Sequence, residues 1–260
     1  MRTTSVLTTL LLALAVTASP GCNNTRNLRR SSQGIVTIKN LPPAPEPSLV
    51  EPPPTIWALE VQNAKGSIDV SVDPSVVRPV IWVNAPELSD RTDPANWVAA
   101  ESIDDNGAHL LRVSAASPEN LAFTTYLRIT LPASSGVKIR SAGGPISLAG
   151  VAGPIDIENG GAMGPGAPVT LKTTAPLNAG VRVVTSAGDA RVFCGQASTG
   201  KVDVRGNKVN FQPPTGAALK GVKQDSRNLS AQVGETDLPF EVQTLQGLAD
   251  VRLNQGKTPN

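Results

Sequence analysis

From Trp57 onward, apolar and polar residues alternate with a period of two, in "WALEVQ", "SIDVSV", "VIWVN", "HLLRVSA" and "YLRITL". Period two marks strands that bury one face, and nothing in this region sustains the 3.6-residue period of an amphipathic helix. Between two of the runs, "IDDNGAHL" places Asp104 to Gly107, where Asn-Gly supplies the positive φ angles of a tight hairpin turn. The spacing of its acidic pair matches no calcium loop.

The phrases then shorten and recur: "GVKIRSAG", "GPISLAG", "GPIDIENGG", "PVTLKTT", "GVRVVTSAG", "DARVFCG", "GKVDVRG" and "KVNFQPP". Ile146 and Ile155 lie nine residues apart, as do Val183 and Val192, and Val192 and Val202 lie ten apart. One such unit is too short to bury a face by itself. Stacked on its neighbours, each unit turns two aliphatic side chains inward and Ser, Asp, Lys or Arg outward, while Gly turns the corner. The expectation is an all-β chain forming a β-solenoid, a single-stranded β-helix-like stack in which each copy covers the last, after an N-terminal β-hairpin region. A β-sandwich of antiparallel hairpins is the alternative, because it also uses short alternating strands. The insertion "NGGAMGPGAPVT" lengthens one turn. Beyond Phe211 the repeat breaks, and "VQTLQGLADVRL" restores it as an expected last rung or cap.

The chain before Trp57 reads differently. Residues 1 to 21 have the form of a secretion leader, with Arg2 as a weak positive start, "VLTTLLLALAV" as an apolar stretch too short to span a bilayer, and a small-residue end. That end, "SPGC", resembles the lipobox of bacterial lipoproteins, in which a signal peptidase cuts before a Cys that is then lipidated. Gly21 and Cys22 match it, while Ser19 stands where Leu is usual and Pro20 is an uncommon neighbour. The resemblance implies a lipid anchor on Cys22, and the alternative is an ordinary thiol after an ordinary signal peptide. Acyl chains at about 0.8 kcal/mol per buried CH₂ would hold such a protein at a membrane. Residues 22 to 55 read as a polar, Pro-rich tether containing one strand-like phrase, "IVTIK"; its "NLPPAPEPSLVEPPPT" favours polyproline II, a spacer of roughly 40 to 50 Å. Residues 56 to 255 are then the folded domain.

The repeated phrases also carry a family resemblance. "NAKGSIDVSV", "YLRITLPASSGVKIRSAGGPISLAGVAGPIDIENGG" and "TSAGDARV" resemble the bacterial "putative adhesin" domains of unknown function, built from polar-x-Gly-x-Ile-x-Val units after a V-x-L-P strand. The likeness covers roughly residues 56 to 255 and implies a β-solenoid on an exported, adhesin-like protein.

Composition narrows the function classes. With 23 basic against 21 acidic residues, no field of one sign steers the chain toward nucleic acid. If Cys22 is acylated, only Cys194 remains, so no intrachain disulfide forms; within "ARVFCG" it reads as a small buried hydrophobe. "GQASTGK" (Gly195 to Lys201) has the spacing of a phosphate loop, but Val202 stands where Ser or Thr would hold Mg²⁺, and a strand follows where a helix must. His109 is the single histidine and follows a turn, which leaves no catalytic triad in view. Asp69, Asp156, Asp189 and Asp203 are single outward carboxylates among Lys172, Arg182 and Arg191, a mixed face rather than a metal site. Trp57, Trp82 and Trp97 lie in the first strands and read as core. No catalytic, cofactor-binding or metal residue is expected, and no cofactor.

The reading that emerges is a non-catalytic lipoprotein of the bacterial cell envelope, facing periplasm or exterior, whose solenoid face binds an envelope protein or a cell-wall polymer. The alternatives are a self-associating structural spacer joined through strand edges, and a polysaccharide-active β-helix enzyme, for which no paired carboxylates are identified.

Overall fold

The structure, a computed structural model, describes residues 32–43, 54–63, 65–85, 93–105, 108–115 and 124–255. The leader, Cys22 with its lipidation, and most of the Pro-rich stretch lie outside the described residues. In chain order the strands are β1 (Ser32–Ile35), β2 (Ile38–Lys39), β3 (Ile56–Asn63), β4 (Ile68–Val72), β5 (Val80–Ala85), β6 (Val98–Asp105) and β7 (Ala108–Ala115). They continue as β8 (Tyr126–Leu131), β9 (Ala133–Ser141), β10 (Ile146–Ala149), β11 (Ile155–Asn159), β12 (Val169–Lys172), β13 (Val181–Thr185) and β14 (Ala190–Gly195). The last six are β15 (Gly200–Arg205), β16 (Lys208–Gln212), β17 (Leu219–Gln224), β18 (Asn228–Val233), β19 (Pro239–Thr244) and β20 (Leu248–Gln255). Single 3₁₀ turns at Pro94–Trp97 and Gly161–Met163 are the helical segments among the described residues.

These strands form two mixed sheets. The nine-stranded sheet runs β1-β5-β8-β4-β10-β12-β14-β20-β16, and the eleven-stranded sheet β17-β18-β15-β19-β13-β11-β9-β3-β7-β6-β2. Within each sheet seven neighbouring strands are parallel, and their orders match coil for coil: β7/β8, β3/β4, β9/β10, β11/β12, β13/β14, β19/β20 and β15/β16. Each coil thus contributes one strand to each sheet. The all-β expectation holds, and the molecule has the coil stacking of a solenoid in the two-layer form of a sandwich.

Three details differ from the sequence reading. Consecutive phrases do not stack on one another: Ile146 pairs with Ile68 and Val169 in one sheet, whereas Ile155 pairs with Val137 and Val181 in the other. A nine-residue spacing is half a coil, so each copy faces the last across the core and covers the one before it. Secondly, the phrase expected to end the stack, β19/β20, slots between β13/β14 and β15/β16. The other end is permuted in the same way, with β7/β8 lying outside β3/β4. Units of one shape fit any place in the stack, so chain order does not set spatial order. Thirdly, β1 and β2, inside the stretch read as tether, belong to the sheets, β1 antiparallel to β5 and β2 parallel to β6.

Antiparallel strands close the ends. β5 and β6 cover the β7/β8 coil, with β6 and β7 pairing on either side of the expected Asn106–Gly107 turn, which is outside the described residues. At the far end the β17–β18 hairpin covers β15, with Leu229, Ala231 and Val233 facing the core.

Valine and isoleucine fill the interior because β-branched side chains pack well on a pleated surface, and the core includes Val61, Val70, Ile139, Ile157, Val183 and Val192, all fully buried. At the corner leading from the eleven-stranded to the nine-stranded sheet, the last residue of each central strand is polar and buried. Asn63, Ser141, Asn159, Thr185 and Thr244 stand in register, none more than 3% exposed. Their side chains satisfy corner carbonyls that no ladder reaches: Asn159 Nδ2 donates to Gly144 O and Ala167 O, both at 2.9 Å, and Thr244 Oγ1 to Gly188 O at 2.7 Å. Adjacent corners stack so closely that a Cβ at Gly144, where φ is +97°, would lie 2.2 Å from Gly66 O.

Candidate functional site

The outer faces of the two sheets differ in kind. On the eleven-stranded sheet one register row runs Glu101, Arg112, Glu60, Lys138, Asp156, Arg182, Glu241 and Asp203. Charges alternate along it until the last pair. Arg112 reaches Glu101 at 3.0 Å and Glu60 at 3.2 Å, and Lys138 reaches Glu60 at 2.8 Å. Arg140 pairs with Asp156, and Arg182 contacts Asp156 at 3.2 Å, Glu158 at 3.4 Å and Glu241 at 3.7 Å. The hydrogen bond from Lys138, helped by Arg112, holds the Glu60 carboxyl below its usual range despite some desolvation. Partial burial pushes Asp156 up, but the bonds and charges of Arg140 and Arg182 outweigh it and leave the carboxyl lowered. Exposed pairs of this sort contribute little stability each. Their main consequence is that the acids and bases of this face answer one another.

The nine-stranded sheet carries a different surface. At its centre the outward residues are small, Ser71, Ser147, Ala149 and Thr170. On one side of them, β5 and β8 turn Trp82 (46% exposed) and Tyr126 (40% exposed) to solvent beside Arg128. On the other side, Lys172, Phe193 and Arg252 line a recess of about 460 Å³, with the Arg252 guanidinium 5.1 Å above the Phe193 ring. Arg252 also bonds Asp250 at 2.9 Å.

The structure scatters the sequence-predicted residues rather than assembling a reactive centre. Asp69 faces outward on β4, 3.8 Å from Arg128; Asp156 and Asp203 belong to the other sheet; Asp189 sits in a corner, bonded by Arg191 at 2.6 Å and by Leu248 N at 3.0 Å. The Leu248 N–H and then Arg191 lower the Asp189 carboxyl. Among the described residues, no three His, Cys, Asp or Glu side chains stand together as a metal site. His109 is half-buried, its ring 5.0 Å from that of Trp57. Gly195 to Lys201 forms a turn closed by Ser198 Oγ donating to Gly195 O at 2.7 Å, and runs into β15, so no helix N-terminus is presented to a phosphate. Cys194 is fully buried, and desolvation pushes its thiol up to about 11, where thiolate chemistry is suppressed.

Of the tryptophans, Trp57 is core at 1% exposure, whereas Trp82 is not. The signal was present but ambiguous: in "VIWVN" both parities are apolar, so the sequence leaves open which face is inside. Ile81 and Val83 take the core, and Trp82 is turned out.

A solved protein shares this architecture. It is from Clostridium sporogenes ATCC 15579, its crystal structure is described as that of a "putative cell adhesion protein", and it superimposes with a TM-score of 0.50 at 11% identity, over 87% of this chain and 100% of its own. At that identity the likeness speaks for fold alone. No family model and no curated protein matches the chain in sequence. Among the described residues, no helix is long and apolar enough to cross a membrane.

Proposed function

We propose that the protein is a non-catalytic, adhesin-like binding module of the bacterial cell envelope, lipid-anchored through Cys22, which offers the outer face of the nine-stranded sheet to an envelope protein or wall polymer. The observation that carries this reading is the asymmetry of the two faces. One is crossed by a continuous row of mutually paired charges; the other, beside its Arg128–Asp69 and Arg252–Asp250 pairs, leaves Trp82, Tyr126, Lys172 and small polar residues exposed. Exposed aromatics among small polar residues are the composition of recognition surfaces rather than of inert ones. The fold shared with a protein described as a "putative cell adhesion protein" supports the same direction.

The test is retention. The chain with Cys22→Ser, immobilised and exposed to fractionated envelope, is expected to hold back one component reproducibly, identified by mass spectrometry. Recovery of nothing beyond the chain itself would remove the proposal.

A further inference from the structure

The depression at the β5 and β8 end of the nine-stranded sheet has a chemistry of its own. It measures about 360 Å³, within the range of small-ligand sites. Its walls include Trp82 and Tyr126, interleaved with Gln33, Asn84, Arg128 and Asp69. Antiparallel register sets Trp82 opposite Arg128 and Asn84 opposite Tyr126. The two rings are therefore diagonal neighbours on one face, with backbone positions roughly 7–8 Å apart. This is the chain's only tyrosine and one of its three tryptophans, so two scarce side chains are spent side by side in solvent.

What would such a site hold? A ring face left open to water suits a ligand with flat apolar patches of C–H. The surrounding groups demand that the same ligand carry many hydroxyls: the exposed Gln33 amide both donates and accepts, and the Arg128–Asp69 pair, at 3.8 Å, presents a donor fork beside an acceptor. Few ligands combine both. A pyranose ring does, with C–H bonds on its faces and hydroxyls around its edge. A protein partner of usual size would need an apolar core several times wider than the two rings and the exposed Ile35 beside Trp82. Beyond the depression, the small outward residues Ser147 and Thr170 leave the adjoining strands free of obstruction, so a chain of sugars can extend across the sheet.

We infer that the Trp82–Tyr126 depression is a glycan-binding subsite, in which pyranose rings of an oligosaccharide stack on the two aromatic side chains while Gln33, Arg128 and Asp69 take the hydroxyls. This rests on the reading of the nine-stranded face as a binding surface and narrows its ligand to carbohydrate.

The experiment uses the Cys22→Ser chain and a panel of soluble oligosaccharides: β-1,4-linked glucose, xylose and N-acetylglucosamine chains and a mannose oligomer, together with the soluble glycan fraction of the source envelope. Binding is read by tryptophan emission and calorimetry. At least one probe is expected to bind and shift the emission; Trp82→Ala should weaken it by roughly tenfold or more, Tyr126→Ala by a smaller factor, and Trp82→Phe should restore part of the loss. Circular dichroism checks that the variants stay folded, as an exposed side chain permits. Absence of any Trp82-dependent binding across panel and envelope glycans overturns the subsite. If the chain still retains an envelope protein, the subsite alone fails and the binding module stands. If it retains nothing, the module fails with it.

Discussion

A single amide shows how residue chemistry holds this fold together. Asn159 donates to two carbonyls inside a corner; Ala167 O also accepts from Thr185 Oγ1 at 2.7 Å, so Asn159→Ala orphans Gly144 O, at about 1–3 kcal/mol. A loss of about 1–3 kcal/mol in urea unfolding is expected, and a loss under roughly 0.5 kcal/mol would mean the corner is satisfied some other way. The carboxylates make a second prediction. Glu60, Asp156 and Asp189 titrate below their ordinary values in the folded chain, so each contributes stability that is complete above its unfolded pKa and is lost as pH falls through the folded one. Thermal midpoints should hold steady from neutral pH to about pH 5 and drop below about pH 4, with a shallower drop in Asp156→Asn. A midpoint that climbs on acidification would contradict the assignment. At this scale much was legible in the sequence: in "YLRITL" the parity of Leu127, Ile129 and Leu131 is enough to place Tyr126 and Arg128 outside. The polar corner residues were not, because Asn, Ser and Thr before glycine read as ordinary turn residues. Only stacking makes them a buried row.

At the scale of elements, the sequence states what a unit is and leaves open where it goes. Alternation and corner glycines specify strands correctly from β3 through β16 apart from β6, but the partners of Ile146 lie in "SIDVSV" and "PVTLK", far along the chain rather than in the adjacent phrase. Register along a strand is fixed by its inward face, while the order of coils depends on which interfaces fit, information spread over many side chains. The same logic hides the two inserted coils and the β1 and β2 pairings, where two to four residues contribute too little pattern to separate from a tether. Because stability in a stack is a sum of neighbour terms, damage should stay local. Leu229, 2% exposed on β18, covers the last coil. Leu229→Ala is expected to cost about 2–4 kcal/mol and to speed amide exchange in β15 and β17 well before β9 and β11. Uniform acceleration through both sheets would show instead that the stack opens as one unit.

For the whole molecule, the ends and faces decide how it meets others. The terminal strands are poor templates for edge pairing: β1 and β2 are four and two residues long, β17 is bulged between Lys220 and Lys223, and β16 runs into Pro213 and Pro214. This weighs against the self-associating spacer, and sedimentation of the Cys22→Ser chain should give a monomer across a wide concentration range; growing assemblies would revive the spacer. The faces then carry the functional account, and each can be blocked separately. In the Cys22→Ser chain the remaining Cys194 is buried with a suppressed thiol, so a single cysteine introduced on either face takes a maleimide-linked polymer alone. Ser147→Cys labels the centre of the nine-stranded face, and Gln62→Cys the eleven-stranded one. The deciding measurement is retention of the envelope component by these two conjugates. The account predicts that the polymer at Ser147 abolishes retention and the polymer at Gln62 leaves it intact. Retention lost at Gln62 and kept at Ser147 would contradict it and move the function to the charged face.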